Sequence, residues 1–172
     1  MADLYFYDST DSRKTREAQA VGRDQRYTIR GVTGFGEVLT SLDEYIAQHR
    51  TFSTIYFGTH GSPGAMFLPN GSLTTTNASS LATRSGIFEG QGRVLFLGCS
   101  VAEGDDGWRF LEAIGRFFVR DGFVGASTSP TYGESTLPAW GILRIIQVVG
   151  GAPTRRVTRG RNLAYLLEWI FG

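Results

Sequence analysis

The sequence has little cysteine, little net charge and no long apolar run, and each shortage removes a class of protein. One cysteine in 172 residues excludes an intrachain disulfide, and with it the stapled scaffolds of small secreted domains. A formal net charge of +1 leaves no electrostatic footprint for nucleic acid. Nothing approaches the ~20 consecutive apolar residues of a membrane-spanning helix. The amino terminus, Met-Ala-Asp-Leu, lacks the basic and apolar regions of a signal peptide. There is no internal repeat or low-complexity linker, and no glycine-rich phosphate loop of the Walker or dinucleotide type follows a strand. We therefore expect a soluble, cytoplasmic protein that needs no metal or cofactor and binds neither membrane nor nucleic acid.

What is present is an ordinary globular composition, 41% hydrophobic and 19% charged, with 23 glycines that imply many tight turns. This length fits one domain, residues 1–172, large enough for a real core. Two stretches share one design. Residues 93–97 (Arg-Val-Leu-Phe-Leu) form an apolar run of the kind buried on both faces of a parallel sheet. Gly98 and the lone Cys99 end it, followed by Ser-Val-Ala-Glu-Gly and a helical pattern. Residues 54–58 (Thr-Ile-Tyr-Phe-Gly) form a second such run and lead into Thr59-His60-Gly61-Ser62-Pro63-Gly64. One strand end delivers a histidine and the other a thiol, 39 positions apart. If the strands are parallel neighbours, both side chains reach the carboxyl edge of the sheet, where open α/β sheets place their ligands.

Around these, residues 4–7 predict a strand and residues 8–25 a polar loop with a brief helix at 15–20. Residues 26–29 suit an edge strand. Residues 34–49 predict an amphipathic helix with Phe35, Val38, Leu39, Leu42, Tyr45 and Ile46 on one face. Residues 65–73 predict a hairpin across Asn70-Gly71, and residues 78–81 a short helix. Residues 105–119 predict a helix capped by Asp105 or Asp106, with Trp108, Leu111, Ile114, Phe117 and Phe118 at core spacing. Residues 123–127 and 141–149 predict strands, the last an edge open to pairing, and residues 161–171 a final amphipathic helix. Alternating strands and helices imply a mostly parallel sheet with helices on both faces.

A thiol becomes a nucleophile when a neighbour removes its proton or stabilises the thiolate. A histidine in reach does this and can then protonate a leaving amine. Backbone N–H groups of Gly61 and Cys99, both in strand-end turns, are candidate donors to the oxyanion; Gly61 also lets a substrate approach without a Cβ in the way. The competing structural readings are a small core cysteine, a turn histidine and a solvated His49 at a helix end.

An apolar strand ending in His-Gly, followed by one ending in Gly-Cys, resembles the caspase-like clan of cysteine peptidases (clan CD), which includes caspases, metacaspases, gingipains, clostripain, separase and bacterial CHAT domains. It is more similar still to a bacterial caspase/CHAT-like domain of unknown function. The matching residues are His60-Gly61-Ser62-Pro63-Gly64, Cys99-Ser100-Val101-Ala102-Glu103-Gly104 and Gly125-Ala126-Ser127-Thr128. The resemblance covers residues 55–131. It implies an α/β three-layer caspase-like sandwich and a cysteine endopeptidase, with Cys99 as nucleophile, His60 as general base and acid, and Gly61 as oxyanion donor. Clan members recognise a charged residue before the cut. Asp8 and Glu103 are candidate pocket acids that would select a basic residue, and Ser127 and Ser129 would contact substrate backbone. Asp8 can equally be a turn former beside Ser9 and Thr10. The basic runs at residues 13–16 and 155–156 suit solvated loops or self-cleavage sites. Caspases keep ~50 residues between histidine and cysteine, longer than here. Partners are a polypeptide substrate or partner protein, with an edge strand offering a route to a homodimer. The alternatives are a catalytically silent caspase-like domain acting as a protein-binding or regulatory module, and a flavodoxin-like module holding a small ligand.

Overall fold

A computed structural model describes residues 2–128 and 143–159. The chain runs β1 (Asp3–Asp8), α1 (Ser12–Val21), β2 (Tyr27–Val32), α2 (Phe35–Ala47), β3 (Phe52–Gly58), β4 (His60–Ser62), β5 (Ala65–Phe67), β6 (Leu73–Thr74), a 3₁₀ segment (Ala78–Ile87), β7 (Phe88–Phe96), α3 (Gly104–Ile114) with a π-helical turn (Gly115–Val119), β8 (Gly122–Ser127), β9 (Leu143–Val149) and β10 (Ala152–Arg159). Among the described residues the main sheet has seven strands in the order β10-β9-β8-β7-β3-β1-β2, and β4-β5-β6 form a second, small sheet. Neighbours from β2 to β8 are parallel, while β9 and β10 join by antiparallel pairing. The protein is thus α/β with a mostly parallel mixed sheet.

Period-two alternation sorts the strand residues onto two faces. Leu4, Phe6, Ile55, Phe57, Val94, Phe96, Val124 and Ala126 face α2, the 3₁₀ segment and α3 in one core. There Phe57 stacks between Phe6 and Phe96, with centroids 5.4 Å and 5.0 Å away. Tyr5, Leu97, Leu143 and Ile145 face the other way, with Ala18 of α1. Tyr5 and Tyr56 lie on this side, and burial pushes both phenols well above their ordinary range.

The parallel crossovers give the sheet its sidedness. Strands β1, β2, β3, β7 and β8 all end at one edge, and β9 begins there. The loops at that edge contain Asp8 to Asp11, Thr59 to His60, Leu97 to Gly104 and Ser127 to Thr128.

Several expectations change. The β9 strand is not an edge: β10 pairs along it from Ala152 to Arg159 and forms the outer strand among the described residues. Arg155 and Arg156 therefore lie in a strand, and Arg13 to Arg16 lie within α1. Neither basic run is a loop. Strand β10 exposes one polar face to solvent, so it carries no apolar run; its signal was Gly150-Gly151, both at positive φ (59° and 80°), the signature of a two-residue type I′ hairpin. The segment after His60 is a short strand rather than a loop. The N-cap of α3 is Glu103, which makes no side-chain cap bond, and Asp105 and Asp106 sit in the first turn, where carboxylates oppose the helix dipole. Trp108 and Phe117 pack only partly buried against the core. The helix expected at residues 161–171 lies outside the described residues. No helix among the described residues is long and apolar enough to cross a membrane.

Candidate functional site

Strand order builds the site. β3 lies between β7 and β1. Phe57 pairs with Phe96 at the ends of β3 and β7, so His60 and Cys99 each follow the last paired residue by three positions. The two turns then touch. A Cβ placed on Gly98 would lie 3.0 Å from the carbonyl carbon of His60 and 3.1 Å from the nitrogen of Gly61. One on Gly61 would lie 3.1 Å from the carbonyl oxygen of Cys99 and only 2.3 Å from Cγ2 of Val101. Glycine at both positions is what lets the histidine-bearing and cysteine-bearing backbones meet.

On the other side of β3, the loop after β1 supplies a group that sequence reading missed. Asp11 caps α1, its Oδ1 accepting the backbone N–H groups of Arg13 and Lys14 at 2.7 Å and 3.3 Å. Its second oxygen, Oδ2, lies 2.7 Å from Nε2 of His60. Burial alone would raise the Asp11 carboxyl. The His60 hydrogen bond, the two backbone donors and the imidazole charge outweigh it and hold the carboxyl below its ordinary value. An ionised carboxylate only accepts hydrogen bonds, so Nε2 carries a proton, and in the neutral ring the lone pair is then on Nδ1. Asp11 thereby fixes both the orientation and the tautomer of His60. The sequence signal was weak but present: Asp11 opens a helical stretch with no apolar periodicity, as an N-cap residue does.

The turn carrying Cys99 is held from four directions. Leu97 N–H donates to Phe57 of β3, and Ala102 N–H to Ser127 of β8, both at 2.9 Å. Gly64 N–H, in the β4–β5 turn, donates to Val101 at 3.0 Å. Arg144 of β9 donates to the carbonyls of Ala102, at 2.8 Å, and Gly104, while its guanidinium lies 4.8 Å from the Trp108 ring centre. Within this frame Ser100, next to Cys99, takes φ = 54°, a left-handed conformation costly for a residue with a side chain. Such strain persists only where surroundings over-determine it. Cys99 itself is half-buried.

The hairpin of β4 and β5 leaves one donor directed at this turn. Ser62 pairs with Ala65, Gly61 with Met66 and His60 with Phe67. Across a two-residue loop the closing pair is hydrogen-bonded and the next is not. Gly61 occupies that second place, so its N–H points away from β5, toward Gly98.

The remaining candidates lie at the same edge with different surroundings. Asp8 is 4% exposed, and its Oδ1 accepts both the N–H and the hydroxyl of Thr10, at 2.9 Å and 2.7 Å, an Asx turn. Glu103 is exposed at the start of α3. Ser127 is buried, its carbonyl holding the cysteine turn. Ser129 lies outside the described residues. His49 sits in an exposed turn after α2 at φ = 56°, before the start of β3, whereas the site follows the end of that strand. No cluster of three or more metal-ligating side chains occurs among the described residues.

The fold and site thus define a mostly parallel α/β protein in which Cys99, His60 and Asp11 follow three adjacent strands, β7, β3 and β1, at the carboxyl edge of the sheet. The chain belongs to the domain of unknown function family DUF4347, whose model matches residues 23–142. His60, Gly61 and Cys99 fall within the match; Asp11 precedes it. Comparison with curated proteins found no match.

Proposed function

We propose that this protein is a caspase-like cysteine endopeptidase in which Cys99, His60 and Asp11 act in series. The observation that carries the reading is the strand order β7-β3-β1, which supports a thiol–imidazole–carboxylate row, together with the 2.7 Å contact of His60 Nε2 to Asp11. Helices packed on both faces of the sheet agree with a three-layer caspase-like sandwich. A single cysteine and the absence of a long apolar helix among the described residues suit work in the cytoplasm.

In this reading Nδ1 of His60 takes the proton of the Cys99 thiol, and Sγ attacks the carbonyl carbon of a peptide bond. The N–H groups of Gly61 and Cys99 hold the oxyanion; removing one such donor typically costs ~3 kcal/mol of transition-state stabilisation. The imidazolium, its charge offset by Asp11, passes its proton to the leaving amine, giving a thioester. Water, deprotonated by His60, then hydrolyses the thioester, and the thiol regains its proton from the imidazolium. Glu103, the exposed acidic group at this edge, favours a basic residue before the cut, while Asp8 is buried and held in its Asx turn.

The test is the pH dependence of Cys99 alkylation by iodoacetamide in wild type and in His60→Ala. Reaction persisting well below the ~8.5 of a free thiol, and weakened in the variant, supports the reading. An ordinary thiol profile in both proteins, or no reaction in the folded chain, overturns it in favour of a silent protein-binding module.

A further inference from the structure

Phe67 and Val149 are the large apolar side chains that stand exposed among the described residues, Phe67 at 41%. Single exposed hydrophobes are common and need no function. The position of Phe67 is what sets it apart. It is the cross-strand partner of His60 in the β4–β5 ladder, and directly opposed residues of an antiparallel pair project from the same side of the sheet, with Cα atoms ~5.5 Å apart at a hydrogen-bonded pair.

The rest of the ladder confirms which side this is. The intervening pair, Gly61 and Met66, faces inward: Met66 and its neighbour Leu73 are fully buried, and Gly61 lies against Val101. His60 and Phe67 therefore share the outward side, and the His60 side chain is 45% exposed. The β4 edge away from β5 meets the cysteine turn at Gly98. Phe67 thus flanks His60 on the side opposite Cys99.

We infer that Phe67 is a specificity-determining residue that takes an apolar side chain on the residue immediately after the scissile bond. The inference rests on the peptidase reading and extends it. The acyl carbon must sit at Cys99 and the leaving nitrogen at His60, which protonates it. Chain continuing past that nitrogen passes the far side of His60, where the exposed ring lies. Covering an aromatic ring with a Leu, Met or Phe side chain removes apolar surface of both from water; a Ser, Gly or Asp side chain there gains nothing comparable.

The experiment uses peptides with a basic residue before the cut and Leu, Met, Phe, Ser, Gly or Asp after it, cleaved by wild type, Phe67→Leu and Phe67→Thr. Threonine keeps strand propensity at an exposed site, and thermal melts check each fold. In wild type, kcat/KM for the apolar set should exceed that for the polar set about tenfold, the scale of one apolar contact. The ratio should persist in Phe67→Leu and fall to about two in Phe67→Thr. A flat wild-type profile, or a preference that survives Phe67→Thr, overturns the inference and leaves the peptidase reading standing. No cleavage of any peptide, with ordinary Cys99 alkylation, overturns both.

Discussion

Asp11 and His60 are 49 positions apart in the chain and 2.7 Å apart at Oδ2 and Nε2. The same carboxylate caps α1 with its other oxygen. One residue thus starts a helix and orients a histidine, and the two roles can be separated.

Asn is as good an N-cap as Asp, whereas Ala is not. Asp11→Asn should melt close to wild type, while Asp11→Ala should lose ~1 kcal/mol. Both should slow Cys99 alkylation at neutral pH, since neither supplies the negative charge that orients His60. Equal alkylation in Asp11→Asn and wild type would confine Asp11 to the cap.

The same carboxyl has a pH consequence. Its folded pKa is lowered, from an ordinary value of 3.8, so at acid pH the unfolded chain binds the proton first. Its contribution is fully present above that ordinary value and is lost as pH falls through the lower folded one. Acid titration of stability should therefore be shallower in Asp11→Asn than in wild type over this range. Parallel titrations would contradict the assigned shift.

A methyl on Gly61 would strike Val101 Cγ2 at 2.3 Å. Overpacking of this kind costs ~1–3 kcal/mol. Gly61→Ala should be destabilised by that amount, and Val101→Ala in the same chain should recover part of it, a coupling that urea denaturation of the double-mutant cycle measures.

Arg144 ties β9 to the carbonyls of Ala102 and Gly104. Hydrogen bonds from a charged donor contribute ~1.5–3 kcal/mol. Arg144→Met keeps apolar contact with Trp108 and loses both bonds. Hydrogen exchange at the Ala102 amide, bonded to Ser127 at 2.9 Å, should speed up while amides of β1 and β3 stay protected.

The β9–β10 turn predicts an asymmetry between substitutions. At Gly150 a Cβ meets nothing within 4 Å, and φ is 59°. Asn accepts this region and Val does not. Gly150→Asn should leave the melting temperature within ~2 °C of wild type, and Gly150→Val should lower it by several degrees. Equal effects would show that the turn is not of type I′.

Much of the frame was legible locally. Strand β3 and the second half of β7 announce themselves because burial demands apolar runs, whereas the first half of β7, with Glu89 to Gln91 exposed, carries none; the α2 stripe of Phe35, Val38, Leu42 and Tyr45 follows from a 3.6-residue period. His60 and Cys99 stood out because each directly follows such a run. Strand β10 was obscured because its exposed face carries Thr and Arg, and only the Gly-Gly turn marked it.

Local patterning settles where strands end, where turns fall, and that a thiol and an imidazole follow two buried strands. What those ends meet is set by how the strands pair. Pairing β3 between β7 and β1 is a long-range choice set by packing across the whole sheet, and no short-range pattern encodes it. That choice brought Asp11 to His60, while the β4–β5 register set Phe67 across from the same histidine and the β8–β9 pairing closed Arg144 over the cysteine turn. Side chains meet by strand order and register, and both are settled only when the whole core closes.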